Sequence, residues 1–588
     1  MCGFVGIIDN AKNHDYSSQI KNMLRIISHR GPDEKNLCIM QDIGVYLGFA
    51  RLSMVDIEKS SQPHVSLSKQ IIIMFNGEIY NYKELRSELE QSGIYFNTMG
   101  EVEVLYQLYL MHGEDFLSKL DGMFAICVID IKANKCMFAR DQFGIKPLYY
   151  YKNNDVLVFS SELTPIYSVY KTKIDRMSME LFFSCRFIPA PYTIYEKVYK
   201  VRAGEFIVVQ EKEEKHTFYF RYNKQYDEKK LEYEKICYLL DKSIIECYDS
   251  SDVSMGLFLS GGLDSGIIAT VLKKYRRNIG KNYTVDYLSN PNVEAKNVKD
   301  LAVNLKIPYN KIYMSENIKE MLCSVLLSLD EPIYSTVALS TYCLSKEAVK
   351  GVKGVLTGDG SDELVWGYEY LRNSLKKEDS IASYLDGIGW LKFMPIESLI
   401  ESTIFSKADI WDILSDGCVI DGNMSETFRR IELFKRLPDY HLMRVDRMSM
   451  AVGIEARVPF LRKDYVEYML GLSSDILICD SDPKRILKDA YKDILPDSLL
   501  SIRKIPFLSP VKFWIENIFM EDIIRIFNDN NLIESLGINA QMVKKIIDNY
   551  RGKYEDISNV WGMYVFFKWF EIHSTISNYE EYIDEYIL

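Results

Sequence analysis

Residues 1–210 carry short runs of β-branched and aromatic residues broken by Gly, Asn and Asp: GFVGIID, VYLGFARL, QIIIMFNGEIY, FAICVID, KCMFAR and VLVFSS. Runs of about 4–8 such residues bounded by turn formers predict strands. Helical periodicity is confined to fewer stretches, notably Tyr82–Gln91 and Glu103–Met111. Many strands with few helices predict an α+β domain of packed sheets. The polar stretch QEKEEKHTFYFRYNKQYDEK, Gln210–Lys229, lacks apolar periodicity and predicts a connector over 211–229.

From residue 230 the pattern changes. The apolar run GLFLS leads through glycines into a helix expected at Gly266–Tyr275, and NYTVDYL, KIYM and GVLTG follow as further strands between helical stretches. Strand–helix alternation predicts an α/β domain with a parallel sheet covered on both faces. Beyond residue 375 the chain reads mostly helical, without internal repeats, and its last residues, NYEEYIDEYIL, predict a solvated acidic helix or tail. The expected organisation is therefore 1–210, a connector at 211–229, and 230–588.

Composition narrows the class. At roughly 100–200 residues per domain, 588 residues give at least two cores. A hydrophobic share of 47% and a charged share of 26% are ordinary for a globular chain. A net charge of -12 leaves no basic footprint for nucleic acid. No apolar run reaches the roughly 18 residues a membrane span needs, and MCGFVGIIDN does not read as a secretory signal. The eleven cysteines stand singly, with no CxxC pair or Cys/His cluster, which argues against zinc and suits the reducing cytoplasm.

Cys2 directly follows the initiator Met. Removal of Met1 would give it a free α-amino group, a base with a pKa of about 7.7–8.0 beside a nucleophilic thiol. By residue type alone a second-position Cys is unremarkable. Its company changes that: Cys-Gly-Phe-Val-Gly is followed by His29-Arg30-Gly31-Pro32-Asp33, Ala50-Arg51-Leu52-Ser53 and Asn76-Gly77-Glu78-Ile79-Tyr80-Asn81. In these motifs and their order the chain resembles the class II glutamine amidotransferases, the N-terminal-nucleophile type. The resemblance implies stacked antiparallel sheets with flanking helices and Cys2 as the nucleophile. It implies an oxyanion hole from the Asn76 side chain and the Gly77 N–H, and a glutamine site of Arg51, Leu52, Asn76, Gly77, Glu78 and Glu101. The chemistry suits these types: a tetrahedral oxyanion needs preorganised donors, and a planar guanidinium grips a carboxylate. Taken alone, Asn-Gly more often marks a hairpin turn and Arg51 a surface ion pair. In the family an Asp contacts the glutamine amino group where this chain has Glu101, preceded by Gly100.

The second half holds Ser260-Gly261-Gly262-Leu263-Asp264-Ser265 between a strand and a helix. Glycines there let backbone N–H groups surround a phosphate at a helix N-terminus, and no Walker-type Gly-Lys-Ser/Thr follows. Thr357-Gly358-Asp359-Gly360-Ser361-Asp362-Glu363 follows another strand, and its carboxylates suit a hard cation. Further blocks are Leu437-Pro438-Asp439, Val445–Met450, Glu455–Phe460, Lys484–Pro496 and Lys504. Over nearly the whole chain these resemble glutamine-hydrolysing asparagine synthetases, whose second domain is an ATP pyrophosphatase. The resemblance implies ATP and Mg²⁺. Phe258, Ser260, Gly261, Gly262, Asp264, Ser265, Val285, Thr357 and Gly358 would lie around ATP. Asp264 and Asp362 would be metal ligands, and Asp359 and Lys504 catalytic. Glutamine and a carboxylate, first of all aspartate, would be the substrates, and the family pattern leaves a homodimer open. The Met-rich MRVDRMSM reads as core packing.

Departures fall in the second half. Tyr334-Ser335-Thr336-Val337, Arg462, Pro506-Phe507 and Gly266 stand where the family usually has other residues. The changes near Ser335 and Pro506 bear on the acceptor pocket and keep a sugar uronate, a peptide carboxylate or another small acid open as acceptor. A catalytically degenerate binding protein is the remaining alternative, and the retained Cys2, Asp264 and Asp362 argue against it.

Overall fold

The computed structural model describes the chain apart from residues 1, 58, 154, 212, 222–229, 288–292, 315–316, 392–394, 401–402, 421, 502–508 and 576–588, and the side chains of 293–296 and 575. The strands of the first half are β1 (Gly3–Asp9), β2 (Glu34–Met40), β3 (Val45–Arg51), β4 (His64–Val65), β5 (Ile71–Ile79), β6 (Gly122–Asp130), β7 (Lys135–Arg140), β8 (Tyr149–Lys152), β9 (Val156–Ser160), β10 (Val198–Lys200), β11 (Glu205–Gln210) and β12 (Glu213–Phe218). They form two antiparallel sheets, ordered β10–β8–β9–β1–β3–β2 and β12–β11–β7–β6–β5–β4.

The sheets stack face to face. Phe4, Leu47 and Phe49 of the first meet Ile72, Met74, Phe138 and Ile207 of the second in one buried cluster. Ile73 and Phe75, the alternate residues of β5, point the other way, onto the helices Tyr82–Gln91 and Glu101–His112. With period-two geometry, a strand covered on both faces has no reason to alternate with polar residues, hence the unbroken IIIMF. The helix Ser17–Ile26 packs its Ile20, Met23 and Leu24 beside Val5 and Ile7 of β1. The result is a four-layer α/β/β/α arrangement, as expected for this half.

The second half contains β13 (Met255–Phe258), β14 (Asn282–Asp286), β15 (Asn310–Tyr313), β16 (Gly354–Leu356) and β17 (Glu455–Arg457) in one parallel sheet ordered β15–β14–β13–β16–β17. The order reverses at β13, with β14 on one side and β16 on the other. Such a switch point opens a crevice beyond the carboxyl ends of the strands. Helices fill most of the remainder, ending with Tyr554–Thr575.

Two elements depart from the sequence pattern. β12 lies inside the stretch expected to be a connector; it is a sheet edge whose exposed side chains keep the pattern polar. β17 lies in a stretch expected to be helical; it is three residues long, too short for any period to register.

The halves meet over buried ion pairs. Arg30 Nη1 lies 2.8 Å from Glu162 and 2.9 Å from Asp446, and Arg447 bridges Glu162 at 2.7 Å and Asp330 at 2.6 Å. The helix Met443–Met450 thus buries its methionines in the core, as expected, and turns Asp446 and Arg447 to the seam. Arg462 pairs with Asp121 and Glu246, each at 2.7 Å, and lies over the Tyr80 ring. This departure from the family pattern is therefore a contact between halves and lies outside the acceptor cavity.

Candidate active sites

The first site is built by adjacent strand ends. The backbone N–H of Cys2, just before β1, donates to Asn76 Oδ1 at 3.0 Å, and the thiol lies 3.8 Å from the Leu52 carbonyl oxygen at the end of β3. Cys2, Arg51, Leu52, Gly77, Glu78 and Glu101 line one small pocket. Burial pushes the Cys2 thiol up, an effect that the positive chain terminus, the Leu52 backbone and Arg51 partly offset.

Asn76 is fully buried, and its Nδ2 has no hydrogen-bond partner among the described residues. Leaving such a group unmade costs about 1–3 kcal/mol, so it is poised for an incoming oxygen. The Asn-Gly pair is not a hairpin turn: both residues sit inside β5, paired with Ala125 and Phe124 of β6. Gly77 has φ +149°, and a Cβ there would stand 1.9 Å from the Met123 carbonyl oxygen. No other residue type fits.

Arg51 lines the pocket, but its terminal donors are turned to the carbonyls of Asp56 at 2.7 Å and Ile57 at 2.9 Å and to Glu34 at 3.2 Å. It braces the loop that forms one wall. Glu101, at the start of its helix, accepts from the Ile79 N–H at 2.6 Å. Burial and the neighbouring Glu78 raise its carboxyl well above the ordinary range. The glycine before it is required by packing, since a Cβ on Gly100 would meet Ser60 Oγ at 2.1 Å.

The second site is a cavity of about 460 Å³ beyond β13 and β16. Phe258, Ser260, Gly262, Asp264, Ser265, Thr357, Gly358, Asp359 and Asp362 line it. Gly261 turns the first loop with φ +81°. The loop holds its own shape: Ser260 Oγ lies 3.1 Å from Ser265 Oγ and accepts from the Gly262 N–H at 3.2 Å. The two loops press together, since a Cβ on Gly358 would stand 2.9 Å from Asp264 Cβ. Val285 is buried in the core of the sheet and is not among the lining residues. Lys504, Pro506 and Phe507 lie outside the described residues. Gly266 is explained by packing, because a Cβ there would run into Leu499 at 2.4 Å.

Lys484, which opens one of the sequence blocks without an assigned role, turns out to be central. Its ammonium is paired with Asp264 and lies 2.7 Å from Asp362. Burial alone would lower it, but the two carboxylates outweigh burial and hold it above its ordinary value. It stands in the left-handed region, with φ +66°, directly before the helix Arg485–Tyr491. Asp359 is held by Arg444 at 2.8 Å. The Thr357 hydroxyl is buried without a partner among the described residues.

These features fit a phosphate-bearing ligand with a hard cation. Among the described residues no group of three or more His, Cys, Asp or Glu could hold a metal. Mg²⁺, however, takes most of its shell from water and phosphate, so two carboxylates suffice. The far wall of the cavity carries Thr336, Val337, Tyr368, Tyr440, His441 and Arg186, so two of the departure residues face the space left for an acceptor. No described helix is long and apolar enough to cross a membrane.

Comparison with known proteins adds to this geometry. A glutamine amidotransferase domain model matches residues 1–220 and an asparagine synthase model matches residues 235–571. Asparagine synthetase [glutamine-hydrolyzing] 1 of Bacillus subtilis is 29% identical, covering 97% of each chain. Putative asparagine synthetase [glutamine-hydrolyzing] 2 of Methanocaldococcus jannaschii is 33% identical over 63% of this chain and 76% of its own. A putative asparagine synthetase [glutamine-hydrolyzing] of Mycobacterium bovis is 26% identical over 99% of each.

Proposed function

The chain belongs to the asparagine synthase family and is a glutamine-dependent carbon–nitrogen ligase that uses ATP, and from that premise we propose that it amidates aspartate through an acyl-adenylate. Cys2 attacks the glutamine side-chain amide; the C–S bond forms, the C–N bond breaks and the thiol proton passes to the leaving ammonia, after which water hydrolyses the glutamyl thioester to glutamate and the free thiol. Asn76 Nδ2 and the Gly77 N–H receive the oxyanion, while Glu78 and Glu101 face the substrate amino group. In the second domain the acceptor carboxylate attacks the α-phosphorus of ATP and pyrophosphate leaves. Ammonia then displaces AMP. Asp264 and Asp362 would hold Mg²⁺, which supplies positive charge to the phosphates. Lys484 holds its own positive charge at the same place, and Asp359, fixed by Arg444, lies at the adenylation loop. The domain division 1–210, 211–229 and 230–588, a cytoplasmic location and a catalytic part for Lys504 belong to the same reading.

The observation that carries it is the Asn76 amide, buried and unpartnered beside Cys2. The test is Cys2→Ala: glutamine-dependent synthesis should vanish while ammonia-dependent synthesis persists. Equal loss of both in a folded variant contradicts this division of labour. A second reading, another carboxylate as acceptor, is favoured by Thr336 and Val337 in the cavity wall. A panel of acids with Mg-ATP, scored for AMP and new amide, separates the two.

A further inference from the structure

The residues that line the pocket around Cys2 all come from the N-terminal half, but one of them, Glu78, is held by Arg457, the last residue of β17 in the other half. Its guanidinium is fully buried and held at four points. Nη2 donates to Glu78 Oε2 at 2.8 Å and Nε to Glu455 Oε1 at 2.6 Å, while Nη1 donates to the Cys247 carbonyl oxygen at 2.7 Å and to Ser250 Oγ at 2.6 Å. Glu78 is itself 1% exposed, and its second oxygen, Oε1, has no partner among the described residues. Glu78 therefore presents one oxygen fixed from across the seam and one open oxygen in the wall of the glutamine pocket.

Taking Glu78 as the acceptor for the substrate α-ammonium, as in the proposed function on which this rests, we infer that Arg457 is a positioning residue for glutamine, supplied to the glutaminase pocket by the synthetase half. The physical need is clear. A carboxylate so deeply buried loses its charge unless a cation stands beside it. The other groups acting on Glu78 are Glu455 on β17 and Glu101 at its helix start, both acidic, the more distant positive chain terminus, and the Ser250 hydroxyl, with Cys2 and Arg51 across the pocket. Arg457 is the cation in direct contact. Burial still leaves the Glu78 carboxyl raised to about 7. The strand does not depend on the side chain. Arg457 is in register with Leu356, and its carbonyl oxygen accepts the Thr357 N–H at 2.9 Å.

The experiment compares wild type, R457M and R457K in glutamine hydrolysis and in glutamine- and ammonia-dependent synthesis. A hydrogen bond to a charged group contributes about 1.5–3 kcal/mol, so the glutamine KM of R457M should rise on the order of 10- to 100-fold. R457K, which keeps the charge, should recover part of that loss. Glutaminase kcat and ammonia-dependent synthesis should stay within about threefold. The acid limb of kcat/KM for glutamine should move to higher pH in R457M, because Glu78 must be ionised to hold an ammonium and has lost the cation that favours ionisation. An unchanged KM overturns the inference. So does parallel loss of both activities in folded R457M, which would make Arg457 a strut. If R457M does not fold, R457K decides: a several-fold rise in KM at constant kcat supports the inference and a wild-type KM overturns it. Wild-type protein without Cys2-dependent glutamine hydrolysis would instead overturn the proposed function itself.

Discussion

Asn76→Ala should separate activity from stability. In the resting structure Nδ2 of Asn76 is buried with no partner among the described residues, which costs about 1–3 kcal/mol. Truncation removes that liability. It also removes the acceptor of the Cys2 N–H, a bond whose net worth is about 0.5–1.5 kcal/mol, and leaves a small cavity. These terms oppose one another, so the folding free energy should change by no more than about 1–2 kcal/mol. The transition state is another matter. Losing one oxyanion donor costs roughly 2.7–4 kcal/mol, or about 10²–10³ in kcat. The assay is glutamate release from glutamine at saturation, beside a urea titration of the same preparation and ammonia-dependent amide formation as the internal control. The expected result is a glutaminase kcat lower by two to three decades, with urea midpoint and ammonia-dependent rate close to wild type. A kcat within threefold of wild type would refute the oxyanion assignment. Equal loss of all three would mean that Asn76 is only structural.

Gly77→Ala should fail differently: the backbone conformation alone costs about 1–3 kcal/mol, and the clash with Met123 adds to it, so thermal unfolding should show loss of stability together with loss of glutamine hydrolysis. Lys484→Met should leave glutamine hydrolysis intact and lower acceptor-dependent ATP–pyrophosphate exchange by about two orders of magnitude or more, since it removes the charge between Asp264 and Asp362. Arg447→Ala removes the cation paired with Asp330 and one of the two arginines on Glu162, which keeps Arg30, and should cost about 3–5 kcal/mol in denaturant titration, with both activities falling together.

What the sequence made legible was local. Cys2, Asn76 and Gly77, and the loops 260–265 and 357–363, lie in contiguous motifs, and it was the resemblance of those motifs to a family, not the residue types alone, that pointed to their chemistry. Apolar runs marked β1, β3, β5, β6 and β16 because each is buried. What stayed hidden depends on the third dimension. β12 is polar because it is an edge. β17 is too short to carry a period. Arg457 and Lys484 act on residues hundreds of positions away, Glu78 and Asp264, so no spacing rule links them. Val285, which the resemblance placed around ATP, is buried in the sheet core and is not among the residues lining the cavity. Arg462, a departure from the family pattern, is a contact between halves, which its place in the sequence could not show. Arg51 was expected to hold substrate, and here its fork braces the loop beside it.

In the proposed reaction the acceptor carboxylate, aspartate first, is activated by attack on the α-phosphorus of ATP. Aspartate labelled with ¹⁸O in its side-chain carboxylate, incubated with the protein, Mg-ATP and glutamine, tests it directly. The expected products are asparagine together with AMP carrying one ¹⁸O atom. Release of ADP, or AMP without label alongside amide formation, would contradict it.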